Sequence, residues 1–175
     1  MLEQKIQGLY GITPNKDLDI NLVEKVIIKH KVNILQYRHK TQDKKKKLDE
    51  AKLLLKLCQE HNTLFIVNDD INLCLKVGAD GVHLGNNDIE INFARKQLGE
   101  KFIIGVSCYN NPERAIEAED IGANYVAFGS VFNSKTKPNA PHCPLSIIEN
   151  IKNKINIPIV GIGGITFANQ KYAYD

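Results

Sequence analysis

Short apolar runs alternate with longer segments of helical period along nearly the whole chain. Residues 8–13, Gly-Leu-Tyr-Gly-Ile-Thr, read as a first strand closed by Pro14-Asn15. Residues 18–30 carry apolar side chains at Leu18, Leu22, Val26 and Ile27, which is helical spacing. A second strand is expected at 33–37. A long amphipathic helix follows at 41–60, with Leu48, Ala51, Leu54, Leu55 and Cys58 on one stripe. Further strands are read at 64–67, 82–84, 102–106, 125–128 and 158–162. Helices are read between them at 71–77, 89–98, 112–121 and 144–153, with one more beginning after Gly163-Gly164. Pro112 suits a first helical turn, Gly99 and Gly122 suit helix ends, and Asp70 suits an N-cap for the helix at Ile71.

Strict alternation of strand and helix predicts a parallel sheet. The chain also echoes itself. Gly78-Ala-Asp-Gly-Val-His-Leu-Gly85 resembles Gly122-Ala-Asn-Tyr-Val-Ala-Phe-Gly129, 44 residues later. Each copy is a helix end, a Gly-Ala turn and a strand closed by glycine. Repeated βα units of near-constant length favour a TIM (β/α)8-type barrel over an open doubly wound sheet. No G-x-G-x-x-G follows the first strand, which counts against a dinucleotide fold. Residues 1–175 are expected to form one such domain. The chain reaches Asp175 inside the helix after strand seven, so the expected barrel lacks its last strand and helix. A seven-stranded barrel leaves two strand edges unpaired, a liability for stability.

Composition changes this picture little. A length of 175 residues with 43% hydrophobic and 25% charged residues is that of one ordinary globular domain. The net charge of +3 is too small to argue for nucleic acid, and part of it lies in Lys44 to Lys47, read as the solvated face of a helix. Cys58, Cys74, Cys108 and Cys143 show no C-x-x-C pairing, and no signal peptide is recognised, so reduced thiols in a cytoplasmic protein are expected. No apolar run approaches the roughly 20 residues of a membrane span.

In a barrel, the residues just after each strand gather at one face, where the chemistry lies. Those positions hold Gln36, Arg38 and Lys40 in alternation, then Asn68, Asp69 and Asp70, then His83 with Asp88, then Ser107. After strand six comes a loop with Ser134, Thr136 and Lys137, and after strand seven Gly163-Gly164. Cations, hydroxyls and glycine amides suit phosphate groups. Asp69 and Asp88 suit Mg²⁺, which binds one or two carboxylates together with substrate phosphates. The residues therefore point to an enzyme handling a pyrophosphate with Mg²⁺ and a second phosphate near Gly163-Gly164. His83 reads as a packed, hydrogen-bonded histidine and Cys108 as a small buried thiol. His142 and Cys143 are too isolated for a metal site.

These motifs resemble those of the thiamine-phosphate synthase family. The resemblance is collinear from Gly8 to about Thr166. It is carried by Gln36-Tyr-Arg-His-Lys40, Val67-Asn-Asp69, Gly78 to Gly85 with Asp88, Gly105-Val-Ser107, Tyr125 to Phe132 with Thr136-Lys137, and Val160 to Ile165. It implies the joining of 4-amino-2-methyl-5-hydroxymethylpyrimidine diphosphate to a thiazole phosphate, giving thiamine phosphate and pyrophosphate. The implied route is dissociative: diphosphate leaves first and the thiazole nitrogen captures a pyrimidine-stabilised cation. By the resemblance, Gln36, Arg38 and Lys40 hold the pyrimidine diphosphate, and Asp69 and Asp88 ligate Mg²⁺ beside Asn68. Ser107 contacts the leaving group or the pyrimidine, Ser134 and Thr136 the thiazole phosphate, and Lys137 the pyrophosphate. Gly164 gives an amide to the thiazole phosphate.

Departures from the family pattern leave alternatives open. The family's strand eight carries an Ile-Ser turn completing the thiazole-phosphate site, and nothing here matches it. Ser130 and Asn133 stand where the family usually has proline. Beside an active synthase, its barrel closed by another chain in a homo-oligomer or left open, stand three other readings. They are a truncated remnant that only binds phosphate ligands, a non-catalytic phosphate-ligand binding protein, and the related thiazole tautomerase. The Gln-x-Arg-x-Lys and paired-Asp set argues against the tautomerase.

Overall fold

A computed structural model describes residues 6–85, 91–133 and 141–173. It contains seven strands, β1 Leu9–Ile12, β2 Val32–Tyr37, β3 Leu64–Asn68, β4 Gly81–Leu84, β5 Ile103–Tyr109, β6 Tyr125–Phe128 and β7 Ile159–Gly161. Helices α1 Ile20–His30, α2 Lys44–Glu60, α3 Ile71–Val77, α4 Ile91–Leu98, α5 Pro112–Asp120 and α6 Leu145–Ile151 alternate with them. The strands pair in parallel in the order β1-β2-β3-β4-β5-β6-β7. Seven parallel strands wrapped by helices make a nearly closed TIM-type barrel. No helix among the described residues is long and apolar enough to cross a membrane.

Local sequence explains the elements. Asp19, Asp43, Asp70 and Asn111 each cap a helix by accepting the backbone N–H three residues on. The expected cap at Asp70 and the proline in the first turn of α5 are both present. The long helix starts at Lys44 rather than residue 41, because Asp43 supplies the cap. Leu57 joins Ala51, Leu54 and Cys58 on its buried side. Lys46 and Lys47 are not merely solvated: they reach Asp17 and Asp70. After β7, where one more helix is expected to begin, the described chain forms a 3-10 helix, Gln170–Ala173.

Alternation along the strands sorts side chains into two cores. Outward residues, including Leu35, Phe65, Val82, Ile104, Val126 and Phe128, pack beneath the helices. Inward residues form a second cluster inside the barrel, Ile34, Ile66, Ile103 and Tyr125, with Tyr10, Leu64 and Val160 against it. Gly105 makes room there: a Cβ on it would lie 1.9 Å from Tyr125 Cζ, so the phenol ring can cross the barrel only over a glycine.

Candidate active site

Above this inner core the barrel opens into a small cavity of about 80 Å³. It is lined by Tyr10 and Ile12 of β1, Gln36 and Arg38 at the end of β2, and Asn68, His83 and Ser107 of the next three strands. Ala127, Val160 and Ile162 complete the wall. An adjoining, more open cleft of about 480 Å³ lies over the outer layer, with Lys40, Lys47, Asp69, Asp70 and Tyr37 in its lining. Asn68 borders both. The larger cleft is not the axis of the barrel; the smaller cavity sits where the strand ends converge.

Gln36 and Arg38 share the cavity as their alternation requires. Lys40 does not continue the row. Regular strand ends at Tyr37, and Lys40 turns toward the outer cleft, where its Nζ lies 3.7 Å from Asp69 Oδ2. Ser107 is placed by a strand longer than expected: β5 runs to Tyr109, so Ser107 points inward from within it rather than following it. The backbone after β2 is pinned from two sides. Arg38 N–H donates to Thr13 Oγ1 at 2.8 Å, and Lys40 N–H donates to Asn15 Oδ1 at 2.6 Å. On the opposite face Tyr37 and His39 both reach Glu50 Oε2, at 2.7 and 2.8 Å. The half-buried Arg38 guanidinium makes no hydrogen bond or ion pair with a described residue. It is a cation on a pinned backbone with no anion beside it among the described residues.

Asp69 adopts a left-handed φ of 63°, a conformation Asp tolerates better than most residues at ~1 kcal/mol. Its N–H donates to His83 O at 2.9 Å, which ties the end of β3 to β4. Asn68 Nδ2 donates to its carboxylate. Arg114, silent in the sequence, donates to Ser107 O and Gly85 O and joins the ends of β5 and β4. Gly163 and Gly164 have φ of 93° and 65°. A Cβ on either would meet Ser130 Oγ at 2.2 Å or Phe132 O at 2.6 Å. Their close backbone approach is therefore first to the 130–133 loop. Asp88, Ser134, Thr136 and Lys137 lie outside the described residues.

Sequence reasoning missed Tyr10 and Tyr125 as members of the site. Their inward strand positions and polar tips are legible in the sequence; that their hydroxyls meet is not. Tyr10 OH and Tyr125 OH are 2.7 Å apart, and Tyr125 OH lies 2.9 Å from His83 Nδ1. Burial pushes Tyr10 up to about 12, and Tyr125 well above the ordinary phenol. Both remain neutral hydroxyls at any working pH. His83 is the packed, hydrogen-bonded histidine expected. Cys108 is a buried thiol that burial pushes up to about 12, not a nucleophile.

The thiamine monophosphate synthase family model matches residues 9–174. The chain belongs to this family. It is 40% identical to the thiamine-phosphate synthase of Thioalkalivibrio sulfidiphilus, over 95% of this chain and 80% of that protein. It is 43% identical to that of Nitrosococcus oceani, over 96% and 79%. The solved thiamine phosphate pyrophosphorylase of Pyrococcus furiosus superposes with a TM-score of 0.85 at 34% identity, covering 97% of this chain and 80% of that one. The chain thus spans about four fifths of these relatives, and family membership does not favour the tautomerase or the binding-only readings.

Proposed function

We propose that the cavity binds the pyrimidine ring of 4-amino-2-methyl-5-hydroxymethylpyrimidine diphosphate and that the chain couples it to thiazole phosphate. The carbon–oxygen bond between the pyrimidine methylene and the diphosphate breaks, and its electron pair leaves with pyrophosphate. The thiazole nitrogen then forms the new bond to that carbon, giving thiamine phosphate. The observation that carries this reading is Arg38: a half-buried guanidinium lining the cavity on a pinned backbone, without a partner among the described residues. Charge that develops on a departing pyrophosphate needs donors already in place, and Arg38 and Lys40 are such donors. Gln36, Asn68 and Ser107 hold the ring and shape the inner wall. Lys137 completes the pyrophosphate contacts, and Ser134, Thr136 and the Gly164 amide take the thiazole phosphate.

The donor set also fits Mg²⁺. Asp69 presents a carboxylate on a backbone locked to β4, held by the Asn68 amide that donates to it. One or two carboxylates with substrate phosphates suffice for this hard cation. Asp69 and Asp88 are its proposed ligands. When bound, the ion supplies electrostatic stabilisation of phosphate oxygens. Lys40, 3.7 Å from Asp69, keeps the carboxylate turned to the cleft.

The test is turnover. Purified protein with Mg²⁺ and both substrates forms thiamine phosphate, and a Lys137→Ala variant does not exceed background. EDTA stops the reaction and added Mg²⁺ restores it. Arg38→Ala lowers kcat/KM by about 10²–10³-fold, the cost of one electrostatic donor. No thiamine phosphate above the Lys137→Ala background overturns the reading.

A further inference from the structure

Five polar side chains cross the barrel interior in one unbroken series. Gln36 Nε2 donates to Tyr10 OH at 2.8 Å. Tyr10 OH meets Tyr125 OH at 2.7 Å, Tyr125 OH meets His83 Nδ1 at 2.9 Å, and His83 Nε2 meets Ser107 Oγ at 2.8 Å. The series starts on β2, passes through β1, β6 and β4, and ends on β5. Its two ends, Gln36 and Ser107, both line the cavity, whereas Tyr125 does not. Gln36 is 3% exposed and Tyr125 1%. Among the described residues no buried side-chain nitrogen or oxygen lacks a partner, so the series is satisfied throughout.

We propose that these residues form a reversible hydrogen-bond relay that couples Gln36 to Ser107, so that a ligand donor at one end requires a ligand acceptor at the other. A neutral phenol has one proton to give and receives one bond. Burial keeps both tyrosines neutral, so each must point one way or the other. In one direction Gln36 gives to Tyr10, Tyr10 to Tyr125, Tyr125 to His83 Nδ1, and His83 Nε2–H to Ser107. Gln36 then has its Oε1 free to accept, beside one remaining N–H, and Ser107 offers a proton. In the other direction the amide is turned over, every bond reverses, and His83 carries its proton on Nδ1. Gln36 then offers N–H and Ser107 offers a lone pair.

The reversal balances. His83 Nε2 passes its proton to Ser107 Oγ, and Ser107 releases its own to cavity water. Nδ1 takes the Tyr125 proton, Tyr125 takes that of Tyr10, and Tyr10, which lines the cavity, takes one from water. No charge is left behind. A mixed state orphans a buried donor or faces two acceptors at each other, which is unfavourable in a buried series. The relay therefore favours a heterocycle presenting one donor and one acceptor. An aminopyrimidine, with its amino group and ring nitrogen, has that pattern; this part of the inference rests on the proposed function. Tyr125 and His83 act as positioning residues, without touching the ligand themselves in the case of Tyr125.

The protonation site of His83 reads the relay without any ligand. In ¹⁵N-histidine-labelled protein, long-range ¹H–¹⁵N correlation reports which ring nitrogen carries the proton. Gln36→Glu places an acceptor-only group at one end, so Nδ1 of His83 becomes protonated. Adding Tyr125→Phe breaks the series, and His83 returns to its unperturbed signature. An identical His83 signature in the wild type and Gln36→Glu overturns the relay. So does a Gln36→Glu response that persists in the Tyr125→Phe background, since that is through-space electrostatics. If Gln36→Glu does not fold, binding of 4-amino-5-hydroxymethyl-2-methylpyrimidine supplies the second measurement. The losses from Gln36→Ala and Ser107→Ala are expected to be non-additive by about fivefold, and additive once Tyr125→Phe is present. Additivity in the otherwise wild-type protein overturns the proposal. A responsive His83 in a chain that makes no thiamine phosphate leaves the relay standing and removes the function; turnover with an unresponsive His83 does the reverse.

Discussion

Two side chains that never face the cavity decide where Arg38 stands. Gln36 and Arg38 point inward, so Tyr37 and His39 point outward, and both end on the same oxygen of Glu50 in α2. That carboxylate and the Thr13 and Asn15 bonds on the other side hold the backbone after β2 between them. Removing Glu50 leaves the buried Tyr37 hydroxyl without its acceptor and frees His39. Glu50→Ala is expected to lower kcat/KM about tenfold, equivalent to ~1.4 kcal/mol, with Glu50→Gln recovering most of it through its remaining acceptor oxygen. Steady-state kinetics on both variants check this; equal losses from Gln and Ala would show that the acceptor is not what matters. The polar half of the site was legible at this scale because Gln36, Arg38, Asn68, Asp69 and Ser107 follow or close apolar strands. Tyr10 and Tyr125 were not, since an aromatic residue on a buried strand carries no sign of whether its hydroxyl joins a neighbour. Nor was the turn of Lys40 away from Arg38, which depends on where β2 stops.

At the scale of elements, the sequence echo has a structural meaning. Gly78 and Gly122 end α3 and α5 with φ of 74° and 94°, Ala79 and Ala123 bury a methyl, and the next residue clamps the preceding strand. Asp80 exchanges bonds with Phe65: its N–H donates to Phe65 O and its carboxylate accepts Phe65 N–H, at 3.0 and 2.7 Å. Asn124 does the same with Ile104, at 2.7 and 2.9 Å. Each clamp fixes the register between a strand and its predecessor, which is what lets short strands close around an axis. Asn124 carries more, because Arg95 also donates to its side-chain oxygen and to the carbonyls of Gly99, Phe102 and Gly122. Asn124→Ala leaves the Ile104 N–H without its partner, and is expected to cost ~2–3 kcal/mol while the catalytic constants of the folded fraction hold. Denaturant unfolding with activity measured on the same sample separates the two. The strands and helices themselves were legible because period and capping residues agree. Boundaries drifted where a side chain decides them, as Asp43 does for α2, and where β5 continues past Ser107 as an inward wall.

Across the whole molecule, the packing of two concentric cores sets how the fold meets alkali. Burial pushes Cys58, Cys74 and Cys108 in the outer core from the ordinary thiol value of 9.0 up to about 12. Tyr10 in the inner one rises from 10.0 to about 12. Each group is neutral when protonated, so the folded chain keeps a proton that the unfolded chain gives up. Its share of stability is whole below the unfolded value and drains away as pH climbs toward the folded one. The window opens near pH 9 with the three thiols and steepens above pH 10 as Tyr10 joins. The slope from each thiol climbs from half to nearly all of about 1.4 kcal/mol per pH unit between pH 9 and 10, so the three together remove roughly 3 kcal/mol over that range. That is a large share of the ~5–15 kcal/mol that holds an ordinary domain together. The protein is therefore expected to keep a level melting temperature to about pH 9, fall steeply after it and unfold before pH 11. Salt bridges such as Lys40–Asp69 cannot produce this onset, since exposed pairs contribute little. Substituting Cys58, Cys74 and Cys108 together by alanine lowers stability at neutral pH but flattens its fall between pH 9 and 10. Thermal unfolding of both proteins across that range is the measurement, and an unchanged slope in the triple variant would place the alkaline weakness elsewhere in the fold.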